Sequence, residues 1–581
     1  MEEKKAFNKK INLIVAFILP VISFLYFHFI VPYHIFFKEQ IQLFIFDPTY
    51  IISYFSKPGG LACLTGDFLT QFFYLKGGGA IIISLLFLFE WLMFVRILNS
   101  FGVKQTASLW ALLPVIAEWV VISDINFSIA MTVSFVLTLL ATLIYASIQN
   151  KMISIVYGII FIPFLYFLLG SAVFLFPAAI LLYDIQKDKK RYIYWFTLIV
   201  LTAITPFLFR IFFLLTVNQA FLYPYLGFKQ KLSSLVMILI LFFVSFKKLR
   251  ELHFTFLSFS LTVLFILIIG ISSIISKTNF QREKTLSLAT EAYFNNWDKV
   301  LKLSKKAKLE NQIAAYYTNL ALSKQMQSGE RMMEFYQPFV SGLFLPVNTE
   351  SNWFYIFFSN DVYFHIGDMN MAQHSAILGM TFSPHQRSAR LMQRLIEINI
   401  VTGDIPAAMK FIRILEASLF HSKNAAKLKE MAFSIEPEKY PLLQKRNLIH
   451  TSDTLRGSSN NLLSLELLVQ NNPDNQAALD YLLSFHLLTK NIPEFFKIYN
   501  TYFKEKTNHV PKVYAEALLI YFAAFNIKPE IIMEYNIDRK LLASFNEYTK
   551  LYESTNGNLG LLRRKFPDTY WLFFHFANLK T

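Results

Sequence analysis

The chain has 581 residues, of which 55% are hydrophobic, 17% aromatic and only 16% charged. A soluble domain carries about 25% charged residues, so the composition excludes a long soluble enzyme and a disordered chain alike. The single cysteine, Cys63, excludes a disulfide scaffold, and a net charge of +16 in so apolar a chain points to topology-setting loops rather than nucleic acid.

Nine apolar stretches approach the roughly 20 residues that a transmembrane helix needs. They are 11–30, 78–98, 106–121, 127–146, 152–168, 172–183, 192–216, 232–246 and 254–275, and the fifth and sixth read equally well as one kinked pair about Gly170. The first follows Lys4, Lys5, Lys9 and Lys10 like a signal peptide. It is longer than a signal core, contains Pro20 and lacks a small-residue cleavage site, so a retained anchor is expected. With the N-terminus cytoplasmic, one side collects Arg96 and Lys104, Lys151, Lys187-Asp-Lys-Lys-Arg191 and Lys247-Lys-Leu-Arg250. That satisfies the positive-inside rule, and nine spans then place the second half of the chain outside.

The first outer loop, 31–77, is long and patterned. Ile35-Phe-Phe-Lys-Glu-Gln-Ile-Gln-Leu-Phe-Ile-Phe46 mixes charge with aromatic residues, Asp47-Pro-Thr-Tyr50 reads as a turn, and Ile51 to Phe55 as a short helix. Aromatic amphipathic segments of this kind lie in the membrane interface. They serve either as a collar bracing the bundle or as a cradle for a lipid-borne substrate.

Charged residues near or within spans mark functional sites or structural ion pairs. On the expected topology Asp47, Asp67, Glu118, Asp124 and Arg210 all fall toward the outer face, with Glu90 nearer mid-membrane. Carboxylates gathered there could act as a general base or hold a divalent cation, and the arginine could hold a phosphate. The structural alternative is a Glu118–Arg210 ion pair with aspartates as helix caps, Asp47 before Pro48 having the form of a cap.

From residue 276 onward Lys, Glu, Asn and Tyr replace the apolar runs, at helical spacing. Asn295-Asn-Trp-Asp, Gly403-Asp-Ile-Pro and Lys490-Asn-Ile-Pro repeat a turn followed by a helix start, and 388–401 and 475–488 suit the preceding helices. Further helices are expected at 514–525 and 566–576. The pattern resembles an irregular tetratricopeptide-type array, whose concave face would bind an envelope protein or act as a lid. His365, His374 and His385 are too irregularly spaced for a metal site, no phosphate loop or nucleophile elbow occurs, and basic residues are not clustered for nucleic acid.

Two groups of motifs carry a family resemblance. Pro58-Gly-Gly-Leu61 with Phe68-Leu-Thr-Gln-Phe-Phe-Tyr74, and Asp361-Val-Tyr-Phe-His-Ile-Gly-Asp-Met-Asn-Met-Ala-Gln373 with Ile412-Arg-Ile-Leu-Glu-Ala-Ser-Leu-Phe420, resemble an uncharacterised bacterial family of polytopic membrane proteins with an outer helical-repeat tail. A looser architectural resemblance is to C-type polytopic glycosyltransferases, which have a long first outer loop bearing an acidic residue and often a soluble outer domain. The paired acidic motif frequent in that loop is missing, since no Asp-Asp, Asp-Glu or Asp-x-Asp occurs between residues 31 and 77.

The expected fold is all-α: a polytopic bundle of about nine spans over 1–275, then a tetratricopeptide-like α-solenoid over 276–581. The resemblance implies transfer of a sugar from a polyprenyl-phosphate carrier to an envelope acceptor, at the bacterial inner membrane. Asp47 or Asp67 would activate the acceptor, Asp124 or Glu118 would assist or bind a cation, and Arg210 would hold the phosphate. The alternative is a membrane-anchored scaffold that recruits envelope proteins.

Overall fold

A computed structural model describes residues 2–103, 106–187, 191–224, 231–246, 256–348, 350–448, 460–506 and 509–578. Among the basic residues used for orientation, Lys104, residues 188–190 and the 247–250 cluster lie outside the described residues. So do Phe254 and Thr255 at the start of the ninth apolar stretch. The described residues form helices joined by turns and loops, with no strand. They divide into two compact units, Met1–Phe280 with Ala417–Phe420, and Gln281–Glu416 with His421–Thr581.

In the first unit α1 (Glu2–Leu25) continues through a π-helical turn, Tyr26–Ile30. The first loop then folds as three short helices: α2 (Pro32–Gln40), α3 (Pro48–Ser53) and α4 (Gly60–Thr70). Proline opens α2 and α3, where its missing N–H costs nothing. The apolar helices follow as α5 (Gly78–Ser100), α6 (Leu112–Ile122), α7 (Ile129–Ser147), α8 (Lys151–Leu169), α9 (Leu175–Lys187), α10 (Tyr192–Phe213), α11 (Leu232–Ser245) and α12 (Phe256–Lys277).

Among the described residues six apolar stretches are long and apolar enough to cross a membrane, and Ala107–Ile122 and Leu232–Ser245 are shorter apolar helices. One of the six, Lys151–Lys187, runs for 37 residues but is not straight. The chain turns back at Gly170, so that the Tyr157 ring on α8 lies 6.2 Å from Phe176 on α9. The two arms are antiparallel, and the fifth and sixth apolar stretches are therefore a hairpin rather than one kinked helix. On α10, Leu198 and Pro206 face inward while Ile193, Phe196, Ile211 and Phe212 are exposed. An outward apolar face of this extent suits lipid, not water.

The second unit is a run of helical hairpins. Helix α13 (Phe280–Tyr293) leads through a turn into α14 (Trp297–Ala307), and α15 (Gln312–Lys324) packs against α14. The next pairs are α16 (Trp353–Ile366) with α17 (Met369–Thr381), and α18 (Ala389–Thr402) with α19 (Ile405–Glu416). After α20 (Ser422–Ala432) and α21 (Asn461–Asn471), α22 (Gln476–Leu488) pairs with α23 (Ile492–Ile498). Helices α24 (Lys512–Ala524), α25 (Arg539–Ser554) and α26 (Tyr570–Phe576) follow.

The three sequence repeats are the turns of these pairs. Their first residues, Asn295, Gly403 and Lys490, are all left-handed, at φ +58°, +84° and +58°. The following Asp404 and Asn491 cap the next helix, accepting from the amides of Ala407 at 3.0 Å and Glu494 at 3.4 Å. Asn296 instead donates to Glu291 at 2.9 Å. A fourth copy, Gly367-Asp368-Met369, has φ +95° at Gly367 and an amide of Met371 donating to Asp368 at 2.9 Å. Helix α16 is buried throughout Ile356 to Ile366, which brings Asp361 inside; Arg390 and Arg394 of α18 neutralise it at 2.6 and 3.0 Å.

Candidate functional site

Helix α2 carries two polar residues one turn apart, His34 and Lys38, on the face that meets the turn between α6 and α7. The His34 ring stacks on Phe127 at a centroid distance of 5.4 Å, and the Lys38 ammonium lies 4.8 Å from the same ring. Burial pushes the Lys38 ammonium down to about 8, while Asp124 and Asp67 act in the opposite direction. Three elements therefore converge: α2 supplies a cation, α4 supplies Asp67, and the turn after α6 supplies Asp124.

Asp67 is embedded in a short relay. Tyr54 donates to its Oδ2 at 2.7 Å, and the Tyr50 and Tyr54 hydroxyls are 2.6 Å apart. Burial and the neighbouring Asp67 charge raise both the Tyr54 phenol and the Cys63 thiol, the latter to about 12. Tyr54 is thus a fixed donor to the Asp67 carboxylate.

The remaining sequence candidates do not join this group through direct contacts. Asp47 caps α3, accepting from the Tyr50 amide at 2.9 Å and from the Thr49 hydroxyl. Asp124 also accepts from the Asn126 amide at 2.9 Å, which closes its own turn. Arg210 donates from Nε to the Leu215 carbonyl at 3.0 Å and is exposed, so it caps the end of α10. The Glu118–Arg210 ion pair considered as the structural alternative does not form. Glu118 is buried and accepts from Thr132 at 2.6 Å, because α6 turns its carboxylate toward the start of α7.

Glu118 has a different charged neighbour. Glu90, fully buried on α5, lies within electrostatic range of it and accepts from Ser233 at 2.9 Å. One oxygen of each carboxyl, Oε2, has no protein partner. Gln71, in the turn after α4, is buried with neither end of its amide hydrogen-bonded. Among the described residues no group of three His, Cys, Asp or Glu side chains is disposed to hold a metal ion.

Sequence reasoning passed over Lys38. Its signal was a charged residue inside an aromatic run, but its neighbours Phe127 and Asp124 come from beyond two apolar helices, α5 and α6. No curated protein and no solved structure matches the chain. A family model does match, from residue 7 to residue 577, and the chain belongs to that family, DUF6057, a family of unknown function.

Proposed function

We propose that the chain is a nine-span protein of the bacterial inner membrane, with its N-terminus cytoplasmic and its second half an extracytoplasmic α-solenoid. Its first outer loop handles a polyprenyl-phosphate-linked sugar, in a glycosyltransferase-like reaction. The observation that supports this reading is the approach of Asp67 and Asp124 to Lys38, on three elements at one end of the first unit.

Asp67 accepts the proton of the acceptor hydroxyl as that oxygen bonds to the sugar carbon. The bond from that carbon to the phosphate oxygen breaks, and the lipid phosphate leaves with the electron pair. Lys38 takes the phosphate-holding role first considered for Arg210, whose Nε is engaged at its own helix end. Asp124 keeps Lys38 protonated.

The test uses the full chain in nanodiscs and a labelled undecaprenyl-phosphate sugar. Lys38→Met should weaken lipid-phosphate binding about tenfold, as expected for loss of one charge-assisted contact. Asp67→Asn should abolish transfer while leaving binding intact. Wild-type binding and turnover in both variants would overturn the reading. A scaffold that recruits envelope proteins is the second reading, favoured by the capping roles of Asp47 and Arg210. It is supported instead if both variants restore function in a deletion strain while surface changes on the hairpin series do not.

A further inference from the structure

The second unit contains a cavity of about 290 Å³ at the junction of α13, α15, α16 and α18. Four cationic side chains face it, Lys324, Arg390, Arg394 and Lys445, against two carboxylates, Asp361 and Glu397. Both carboxylates are already engaged. Asp361 accepts from Arg390 at 2.6 Å, from Arg394 at 3.0 Å and from the Tyr317 hydroxyl at 2.8 Å. Glu397 accepts from Arg394 at 2.7 Å and from Gln393 at 2.8 Å.

The lysines have no carboxylate partner. Lys324 lies 5.7 Å from the Trp297 ring, and Lys445 lies 5.1 Å from Phe364 while donating to the carbonyls of Phe364 and His365 at 3.3 Å. Burial and the Arg394 charge lower the Lys324 ammonium to about 8, against the pull of Asp361 and Glu397; burial, Lys324 and Arg394 lower that of Lys445 to about 7, against Glu397. His365, behind the two lysines and 2.9 Å from Ser323, is held neutral by the same burial and by their charges. Two repelling ammonium groups in a recess are electrostatically incomplete until an anion enters.

We propose that this cavity binds a phosphate monoester, with Lys324 and Lys445 as its ligands and Arg394, fixed by Asp361 and Glu397, closing one side. A phosphate monoester carries a charge of about −1.5 to −2 at neutral pH, which matches the two uncompensated lysines. The volume exceeds what a phosphate group fills, and Trp297 and Tyr293 line the remainder. That leaves space for the sugar-sized body of the ester. This site is independent of the loop site around Lys38.

The experiment is thermal unfolding and calorimetric titration of the full chain in detergent, at fixed ionic strength, with inorganic phosphate, glucose 6-phosphate, succinate and glucose. Glucose 6-phosphate should stabilise and bind, phosphate less tightly, and glucose not at all. Binding should weaken from pH 7 to pH 9, where the phosphate is already dianionic, as the lysines deprotonate. Lys324→Gln and Lys445→Gln should each lower affinity about tenfold. Both should fold at least as well as the wild type, because each removes repulsion. Equal stabilisation by succinate, no stabilisation beyond a chloride control, or unchanged binding in the double variant would overturn the assignment.

Discussion

Asp47 and Asp67 sit in one loop and look interchangeable in the sequence, yet their surroundings give them different work. The cap was legible, because Asp followed by Pro is a helix-start signature. The role of Asp67 was not, since its partner Tyr54 arrives only when α3 and α4 fold back on each other. Asp47→Ala should therefore cost about 1 kcal/mol of stability and Asp47→Asn much less, read by thermal unfolding. Gly59, in the Pro58-Gly-Gly60 motif, has φ +84°, and a Cβ there would lie 2.7 Å from Pro224. Gly59→Ala should destabilise by about 1–3 kcal/mol in the same assay, which gives that motif a structural meaning. Lys445 carries a pH signature. Its folded-state value of about 7 lies below the ordinary 10.5, so the folded protein binds fewer protons than the unfolded chain between those limits. Stability from this group rises with pH over that window. Lys445→Gln should unfold at a higher temperature than the wild type at pH 6.5, with the difference shrinking by pH 9.

At the level of the helix, the sequence was most readable where two signals coincided. Gly403-Asp-Ile-Pro and Lys490-Asn-Ile-Pro combine a turn residue, a cap and a proline, and each opens a helix at the expected place. Gly367-Asp368-Met369 has the same backbone without the proline, and it passed as part of a longer motif. Asp368 separates capping from charge. Burial raises its carboxyl to about 6, so the folded state holds a proton more firmly than the unfolded chain. Its contribution to stability is present at low pH and is lost as pH rises through about 4 to 6. Asp368→Ala should cost about 1 kcal/mol by removing the cap. Asp368→Asn keeps an acceptor for the Met371 amide and should gain on the wild type as pH rises, measured by unfolding at pH 4.5 and 7.5.

Across the whole molecule, all-helical character and the apolar first half were plain from composition. The pairing of charges was not, because depth along a span says nothing of which face a side chain takes. Glu118 and Arg210 share an expected depth but point to Thr132 and Leu215. The lone cysteine offers a way to test sidedness. Cys63 is only half-buried, but burial and the Asp67 charge push its thiol up to about 12, so it should react slowly with maleimide at pH 7. Asn126→Cys and Gln149→Cys, at exposed positions flanking α7, can then be labelled in a Cys63→Ala background. An impermeant maleimide should reach the first in intact cells and the second only after lysis. Sidedness also turns on the reversal at Gly170. A membrane protein is sorted by the parity of its crossings, and the stretch Lys151–Lys187 counts as one crossing if straight but two when folded on itself. On the topology proposed above, the reversal at Gly170 therefore bears on which side of the membrane the second half of the chain is delivered to.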